Sequence, residues 1–230
     1  MNILFLKKNR GARFAVFASL ALSLAAGAAT VTGCGGKERG DERAGAVADS
    51  SDLYSLYLTK DRKEKDLSFL RDESSPLLPE QKEAFEGLKY FPPDKAFAFE
   101  TALHRLSAPA TMIMATSKDR PREMLHIGWL PFTRSGTEYR LQVYMPKDTS
   151  EEKYWFIPFT DAGSGTDTYA GGRFIDIEKP ASDSVFLDFN YAYNPYCAYN
   201  ERYDCPIPPK ENHLPFAVKA GEKLFRPASH

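Results

Sequence analysis

The spacing of apolar positions divides the chain into three stretches. From Phe14 to Ala29 the side chains carry no charge and are mostly Ala, Leu, Phe and Val. From Gly35 to Asp52 apolar residues thin out, with only Val47 larger than alanine, so this stretch cannot bury enough surface to offset its chain entropy. Beyond it apolar residues return, first at helical density. Asp52 is placed to cap a helix over Leu53 to Leu70, whose charged middle (Lys60 to Asp66) offers an Asp61–Lys65 pair and reads as a solvated face. Pro76 stops that segment. Pro79 suits the first position of a second short helix, which Gly87 can end before Tyr90-Phe91-Pro92-Pro93 breaks the chain.

From Ala96 the period shortens to two. Phe97, Phe99, Thr101 and Leu103 alternate with smaller or polar residues, as in a half-buried strand. Thr111–Thr116 and Glu123–Leu130 read as a hairpin, and Ser135-Gly136 marks a tight turn into Tyr139, Leu141, Val143 and Met145. Further strands are expected at Tyr154–Phe159, Arg173–Ile177, Val185–Phe189 and Phe216–Lys219. The connections are short, which favours antiparallel neighbours over crossover helices. The expected fold is mainly β (α+β): a single antiparallel β sandwich or partly closed barrel with one or two N-terminal helices packed on it.

Composition sharpens this picture in two places. The 230 residues are 43% hydrophobic and 27% charged with a net charge of −1, which excludes a multi-span membrane protein, a disordered tail and the basic footprint of a nucleic-acid binder. That near-neutrality is an average. Lys7, Lys8, Arg10 and Arg13 precede the uncharged run and no acid lies before Cys34, leaving 26 bases against 31 acids, or −5, for the remainder. A basic segment followed by a short apolar run fits a signal-peptide core better than a spanning helix, which needs about 20 apolar residues. Val31-Thr32-Gly33-Cys34 resembles the bacterial lipobox, in which the cysteine is acylated and becomes N-terminal. The expected organisation is a lipoprotein signal peptide over 1–33, a flexible tether over 34–52 and one β-rich domain over 53–230. Its expected place is extracytoplasmic, held to the bacterial cell envelope through lipid at Cys34, on the outer membrane if the cell is Gram-negative, since Gly35 follows the cysteine rather than Asp.

Two segments interrupt the strand pattern with polar residues. Between Phe159 and Arg173 lie Asp161, Ser164, Tyr169 and several glycines, whose backbone amides can approach an anion that Arg173 would clamp. A long turn with its donors satisfied internally is the alternative. No Walker pattern occurs, and Ser164 lacks the glycines of a nucleophile elbow. The second segment, Asp188 to Asn212, holds five tyrosines between 191 and 203, together with Asn190, Asn194, Glu211 and Asn212. Five prolines between 195 and 215 exclude regular helix or central strand over most of it. Cys197 and Cys205 are spaced for a short-loop disulfide, and His213 extends them to a three-ligand pattern. That spacing favours a disulfide or two buried thiols over zinc, so no metal and no cofactor is expected.

These segments carry a resemblance. Phe156-Ile157-Pro158-Phe159-x-Asp161, Gly165-x-x-Thr168-Tyr169-x-x-Gly172-Arg173, Asp188-Phe189-Asn190-x-Ala192-Tyr193-Asn194-Pro195-x-Cys197-Ala198-Tyr199 and Cys205-Pro206-x-Pro208-Pro209-x-Glu211-Asn212 resemble the bacterial and archaeal family called domain of unknown function 1684. The resemblance spans roughly residues 54 to 224 and implies no activity. It implies that Asp161, Tyr169, Arg173, Asp188, Asn190, Asn194, Glu211 and Asn212 occupy motif positions. It also sets a commonly Arg position at His213, against zinc. Three functional readings stay open: binding of a small polar or anionic ligand through Arg173 and the Gly163–Gly172 amides with Tyr169 or Tyr193 packed against it; hydrolysis by Asp161, Asp188 or Glu211; and a structural envelope protein without a ligand. The expected partners are the membrane, through Cys34, and that ligand.

Overall fold

The computed structural model describes residues 50–147, 154–178 and 180–225. The expected signal peptide, Cys34, His230 and the tether up to residue 49 lie outside the described residues. The chain divides into two units, Met1–Ala46 and Val47–His230, and every described residue belongs to the second.

Helix α1 (Ser50–Arg71) starts ahead of the expected cap, so Asp52 sits in its first turn, where a carboxylate favours the helix dipole. Its inward face repeats at helical spacing through Tyr54, Leu58, Arg62, Lys65 and Phe69, with Leu58 and Phe69 buried. Most of that face is polar. Arg62 donates to the carbonyls of Phe91 and Asn190, Lys65 to Glu222, and Asp66 accepts from the Leu88 amide. The charged middle is therefore split: Lys60, Lys63 and Glu64 stay exposed, and Asp61, Arg62, Lys65 and Asp66 dock the helix. Lys60 pairs with Glu64 rather than Asp61 with Lys65. The short helix α2 (Pro79–Glu83) begins on Pro79 as expected.

The body is mainly β, with two antiparallel sheets that do not close into a barrel. Strands β1 (Ala98–Ala102) and β7 (Ser184–Asp188) form a two-stranded sheet. The larger sheet runs β2 (His104–Met114), β3 (Arg122–Arg134), β4 (Thr137–Pro146), β5 (Tyr154–Asp161), β6 (Arg173–Glu178), each antiparallel to the next. A two-residue strand, β8 (His213–Leu214), joins the end of β5 in parallel. Ser135 and Gly136, at φ 49° and 78°, make the β3–β4 hairpin turn whose twist matches its strands.

Alternation along the strands builds two clusters on opposite faces of the large sheet. Trp155, Ile157 and Phe159 join Leu141, Leu187 and Phe189 in the main core between the sheets. Phe156, Tyr144 and Phe174 join Met114 and Met124 on the other face. A third cluster sets Phe69 of α1 against Leu77, Leu88 and Tyr199. The expected strand at Phe216–Lys219 does not form. Its Val218 amide donates to Asp161 and its Val218 carbonyl accepts from Arg173, so side chains take the bonds a neighbouring strand would have made. Among the described residues no helix is long and apolar enough to cross a membrane.

Candidate functional site

Arg173 opens β6 and points into the protein, where it is 1% exposed. One terminal nitrogen donates to the carbonyls of Ala220 and Glu222, and the other to the Val218 carbonyl at 2.8 Å and to Asp161 Oδ2 at 2.9 Å. Both members of the ion pair are buried, and the guanidinium lies over the Phe159 ring. Burial lowers the Arg173 pKa, and the adjacent Asp161 carboxylate opposes that shift. The open anion clamp expected from the sequence is therefore replaced by an internal brace, which ties the irregular stretch Val218–Glu222 to the edge of the large sheet.

The glycine-containing turn is occupied in the same way. Asp161 Oδ1 accepts from the Gly163 amide, and the amides of Ser164 to Thr168 bond to carbonyls within the turn. Ser164 Oγ accepts from the Asp161 amide. These donors serve the loop, so the alternative of a self-satisfied turn describes it.

The remaining motif residues hold other parts of the fold. Asp188 accepts from Tyr54 Oη and from both nitrogens of Asn190, while Asn190 exchanges bonds with both backbone groups of Asp94. Asn194 donates its amide to Glu222 Oε2 and its side chain to the Lys223 carbonyl. Asn212 is fully buried, accepting from the Gln142 amide and donating to the carbonyls of Gln142 and Pro158. Glu211 is exposed on the short 3-10 turn Lys210–Asn212. The structure does not gather Asp161, Asp188 and Glu211 at one place, and each has a different environment. Tyr193 donates to Asp176 and packs edge-on to Phe174.

The cysteines are brought together as free thiols, the second of the two states the spacing left open beside a disulfide. Cys197 lies in the 3-10 turn Tyr196–Ala198 and is half-buried, whereas Cys205 is buried. The Cys197 amide donates to Cys205 Sγ at 3.2 Å, and Tyr169 Oη donates to Cys197 Sγ at 3.6 Å. Cys205 is fixed on both backbone sides by Ser117, whose Oγ accepts its amide and whose amide donates to its carbonyl. A hydrogen bond from Cys205 brings the Cys197 thiol down to about 7 against the opposing effect of burial, and the Tyr169 hydroxyl assists. The same contact, with burial, pushes the Cys205 thiol up. Burial and the neighbouring sulfur likewise raise the Tyr169 hydroxyl. His213 turns to Thr160 instead of the sulfurs, and among the described residues no group of three or more His, Cys, Asp or Glu could hold a metal ion.

Cys197 and Tyr169 line an open surface concavity of ≈ 950 Å³, whose wall also includes Lys118, Glu201, Arg202 and Tyr203. The Arg202 guanidinium stacks on the Tyr203 ring and donates to its hydroxyl. Of the candidate ligand-binding residues read from the sequence, Tyr169 is the one that lines this space, beside the Cys197 thiol. Sequence reasoning passed over Lys118 and Arg202, because a lone charge in a turn or loop gives the same signal whether it meets water or a ligand. It also passed over Glu222, a carboxylate 1% exposed that accepts from Lys65, Tyr199 and the Asn194 amide. The sole sequence signal for Glu222 is the preceding Gly221, which marks a tight chain reversal.

Comparison with known proteins gives the family and a similar fold. A family model described as protein of unknown function (DUF1684) matches residues 83–223. An uncharacterised protein of Haloarcula marismortui, solved by solution NMR, is 35% identical with a TM-score of 0.59, over 75% of this chain and 95% of that one. No curated protein matches the chain.

Proposed function

From the premise that the chain belongs to the DUF1684 family, whose description assigns no activity, we propose that it is an extracytoplasmic domain, lipid-anchored at Cys34, that binds a small anionic ligand in the concavity between Tyr169 and Arg202. The observation that carries this reading is the placement of Lys118 and Arg202 around the same open space as the Tyr169 and Tyr203 rings. A guanidinium presents a planar fork of donors suited to carboxylate or phosphate, and the rings supply an apolar surface for the rest of the molecule. The ligand sits at Arg202, because Arg173 is spent inside the fold. The basic leader, the uncharged run and Val31-Thr32-Gly33-Cys34 support the anchor.

Titration calorimetry with inorganic phosphate, carboxylates and sugars tests the binding. At least one anion is expected to bind the wild type, and Arg202→Ala is expected to weaken it about tenfold or more, the loss of one charge-assisted hydrogen bond. No binding, or binding indifferent to both Arg202→Ala and Lys118→Ala, refutes the reading. Cys34→Ala is expected to release the protein from membranes or leave its precursor unprocessed, and unchanged retention and mass count against the anchor. A second reading, a scaffold without ligand, draws on the internal use of Asp161, Arg173, Asn190 and Asn212 and is what an empty titration favours. The hydrolase reading has no such support, since Asp161 is paired with Arg173, Asp188 is held by Tyr54 and Asn190, and Glu211 stands apart.

A further inference from the structure

We propose that Cys197 and Cys205 form a thiol–disulfide exchange couple, with Cys197 the attacking sulfur, Cys205 the resolving sulfur, and a disulfide-bonded molecule as the reaction partner. Four features of the geometry point this way. Cys197 lies in the wall of an open concavity, so a second molecule's sulfur can reach it. Cys205 is buried behind it, close enough for its Sγ to accept the Cys197 amide at 3.2 Å. The Tyr169 hydroxyl, aimed at Cys197 Sγ, stabilises negative charge on that sulfur. Ser117 clamps the backbone of Cys205 on both sides, so the resolving sulfur is held in place while the 3-10 turn carrying Cys197 faces solvent. A thiol held near 7 is roughly half thiolate at neutral pH, consistent with the attacking role.

The reaction runs in two displacements. The Cys197 thiolate attacks one sulfur of the partner R–S–S–R, a new S–S bond forms, the partner's bond breaks, and one half leaves as a thiolate that takes a proton from solvent. Cys197 no longer carries charge in this mixed disulfide, so the contact that pushed the Cys205 thiol up is gone. The Cys197 amide meanwhile still donates to Cys205 Sγ. Cys205 then gives its proton to solvent and attacks Cys197 Sγ, expelling the second half as a thiolate that is protonated in turn. Two protein thiols and one disulfide become one protein disulfide and two thiols. The protein gives up two electrons and two protons, and the partner ends with both. Exchange needs no anion in the concavity, so this inference stands apart from the ligand-binding reading.

A neutral pyridyl disulfide, whose released thiopyridone absorbs light, tests it on the full chain carrying Cys34→Ala. The expected result is two thiopyridones released per protein from one reagent molecule, leaving a protein two hydrogens lighter with no adduct. Cys205→Ser is expected to stop after one release with one adduct attached, and Cys197→Ser to react at least about tenfold more slowly. The rate is expected to rise with pH to a midpoint near 7 and to reach about three- to fourfold that of an ordinary cysteine at pH 7, the gain in thiolate less the loss in nucleophilicity. Tyr169→Phe is expected to move that midpoint upward. Two independent adducts on the protein, no reaction while it is folded, or a midpoint at the ordinary cysteine value of about 8.5 overturns the proposal. The first of these outcomes needs no substitution at Cys197, Cys205 or Tyr169 and is read on the intact reacting pair.

Discussion

Replacing Arg173 by Met separates a brace from a binding site. Met keeps much of the volume and removes the charge. What it leaves behind is the Asp161 carboxylate and the carbonyls of Val218, Ala220 and Glu222, all of which lose a donor. Removing one partner of a buried ion pair costs about 3–5 kcal/mol, because the other charge stays desolvated and uncompensated. Each orphaned carbonyl adds to this, although the effects overlap and the working value is about 4 kcal/mol. For a domain of this size that lowers the thermal midpoint by about 8–16 °C, a large share of a stability that is typically about 5–15 kcal/mol. The assay is thermal and urea unfolding followed by circular dichroism and by fluorescence of Trp155, which is fully buried in the main core. Arg105 provides the control. It grips Asp183 through two nitrogens, yet both residues are about half exposed at 52% and 42%, so Arg105→Met is expected to cost under about 1 kcal/mol. Adding Asp161→Asn to Arg173→Met should recover part of the loss, since the stranded charge disappears with it. If Arg173→Met moves the midpoint by no more than Arg105→Met does, the guanidinium is not a brace, and loss of anion binding in that folded variant would return it to a ligand site.

Substitutions at Gly221 and Asn212, with Gly136 as a control, test backbone clash and buried hydrogen bonding. Gly221 and Gly136 have almost the same backbone angle, φ 75° and 78°, but a Cβ on Gly221 would lie 2.5 Å from the Ala192 carbonyl oxygen and one on Gly136 would meet nothing within 4 Å. Gly136→Ala is therefore expected to cost about 1 kcal/mol for the left-handed conformation alone and Gly221→Ala at least about 2 kcal/mol more, with equal denaturation midpoints refuting the clash. Asn212→Ala leaves the Gln142 amide without its acceptor and two carbonyls without a donor, for an expected loss of about 3 kcal/mol. Asn212→Asp is expected to be no better at neutral pH, because its charge faces those carbonyls. Its folded pKa is raised, so stability is regained as pH falls and lost as pH rises through that value, whereas Asn212→Ala should show no such trend.

The larger sheet was legible because its strands announce themselves locally. Tyr139, Leu141, Val143 and Met145 alternate with polar residues, and Ser135-Gly136 fixes where the chain reverses, so element, face and turn all come from neighbours in sequence. The inward face of α1 was not legible for the opposite reason. Arg62, Lys65 and Asp66 dock it through hydrogen bonds to residues more than twenty positions away, and a charged side chain gives the same local signal whether it meets water or a buried carboxylate. Phe216–Lys219 has the alternation of a strand, but Arg173 takes the Val218 carbonyl from 45 positions upstream. The proximity of Cys197 and Cys205 was legible from their spacing, because so short a loop keeps its ends close. Their state as two thiols of unequal exposure was not, since exposure depends on the Tyr169 turn and on Ser117.

The polar residues that stand out in the motif share one physical task. Between Asp188 and Phe225 the chain contains several prolines and little regular structure, yet much of it is buried, and buried backbone groups need partners. Side chains supply them where strands do not: Arg173 serves three carbonyls of this stretch and Glu222 the amide of Asn194, while Asn212 and Asn190 fasten the stretch to the rest of the fold through an amide and two carbonyls of β4 and β5 and through both groups of Asp94. Each needs its particular donors and acceptors at one place, so an apolar residue of the same size cannot replace it. Polar residues clustered in a loop usually suggest chemistry performed on a ligand, but here the fold itself demands them. The demand leaves Cys197, Lys118 and Arg202 unexplained, because none of them holds up a buried backbone group by its side chain in the way Asn212 or Arg173 does. Groups with reactive or charged ends that the architecture does not consume, gathered at one open wall with the Tyr169 hydroxyl turned toward a thiol, are where an activity of this protein is to be sought.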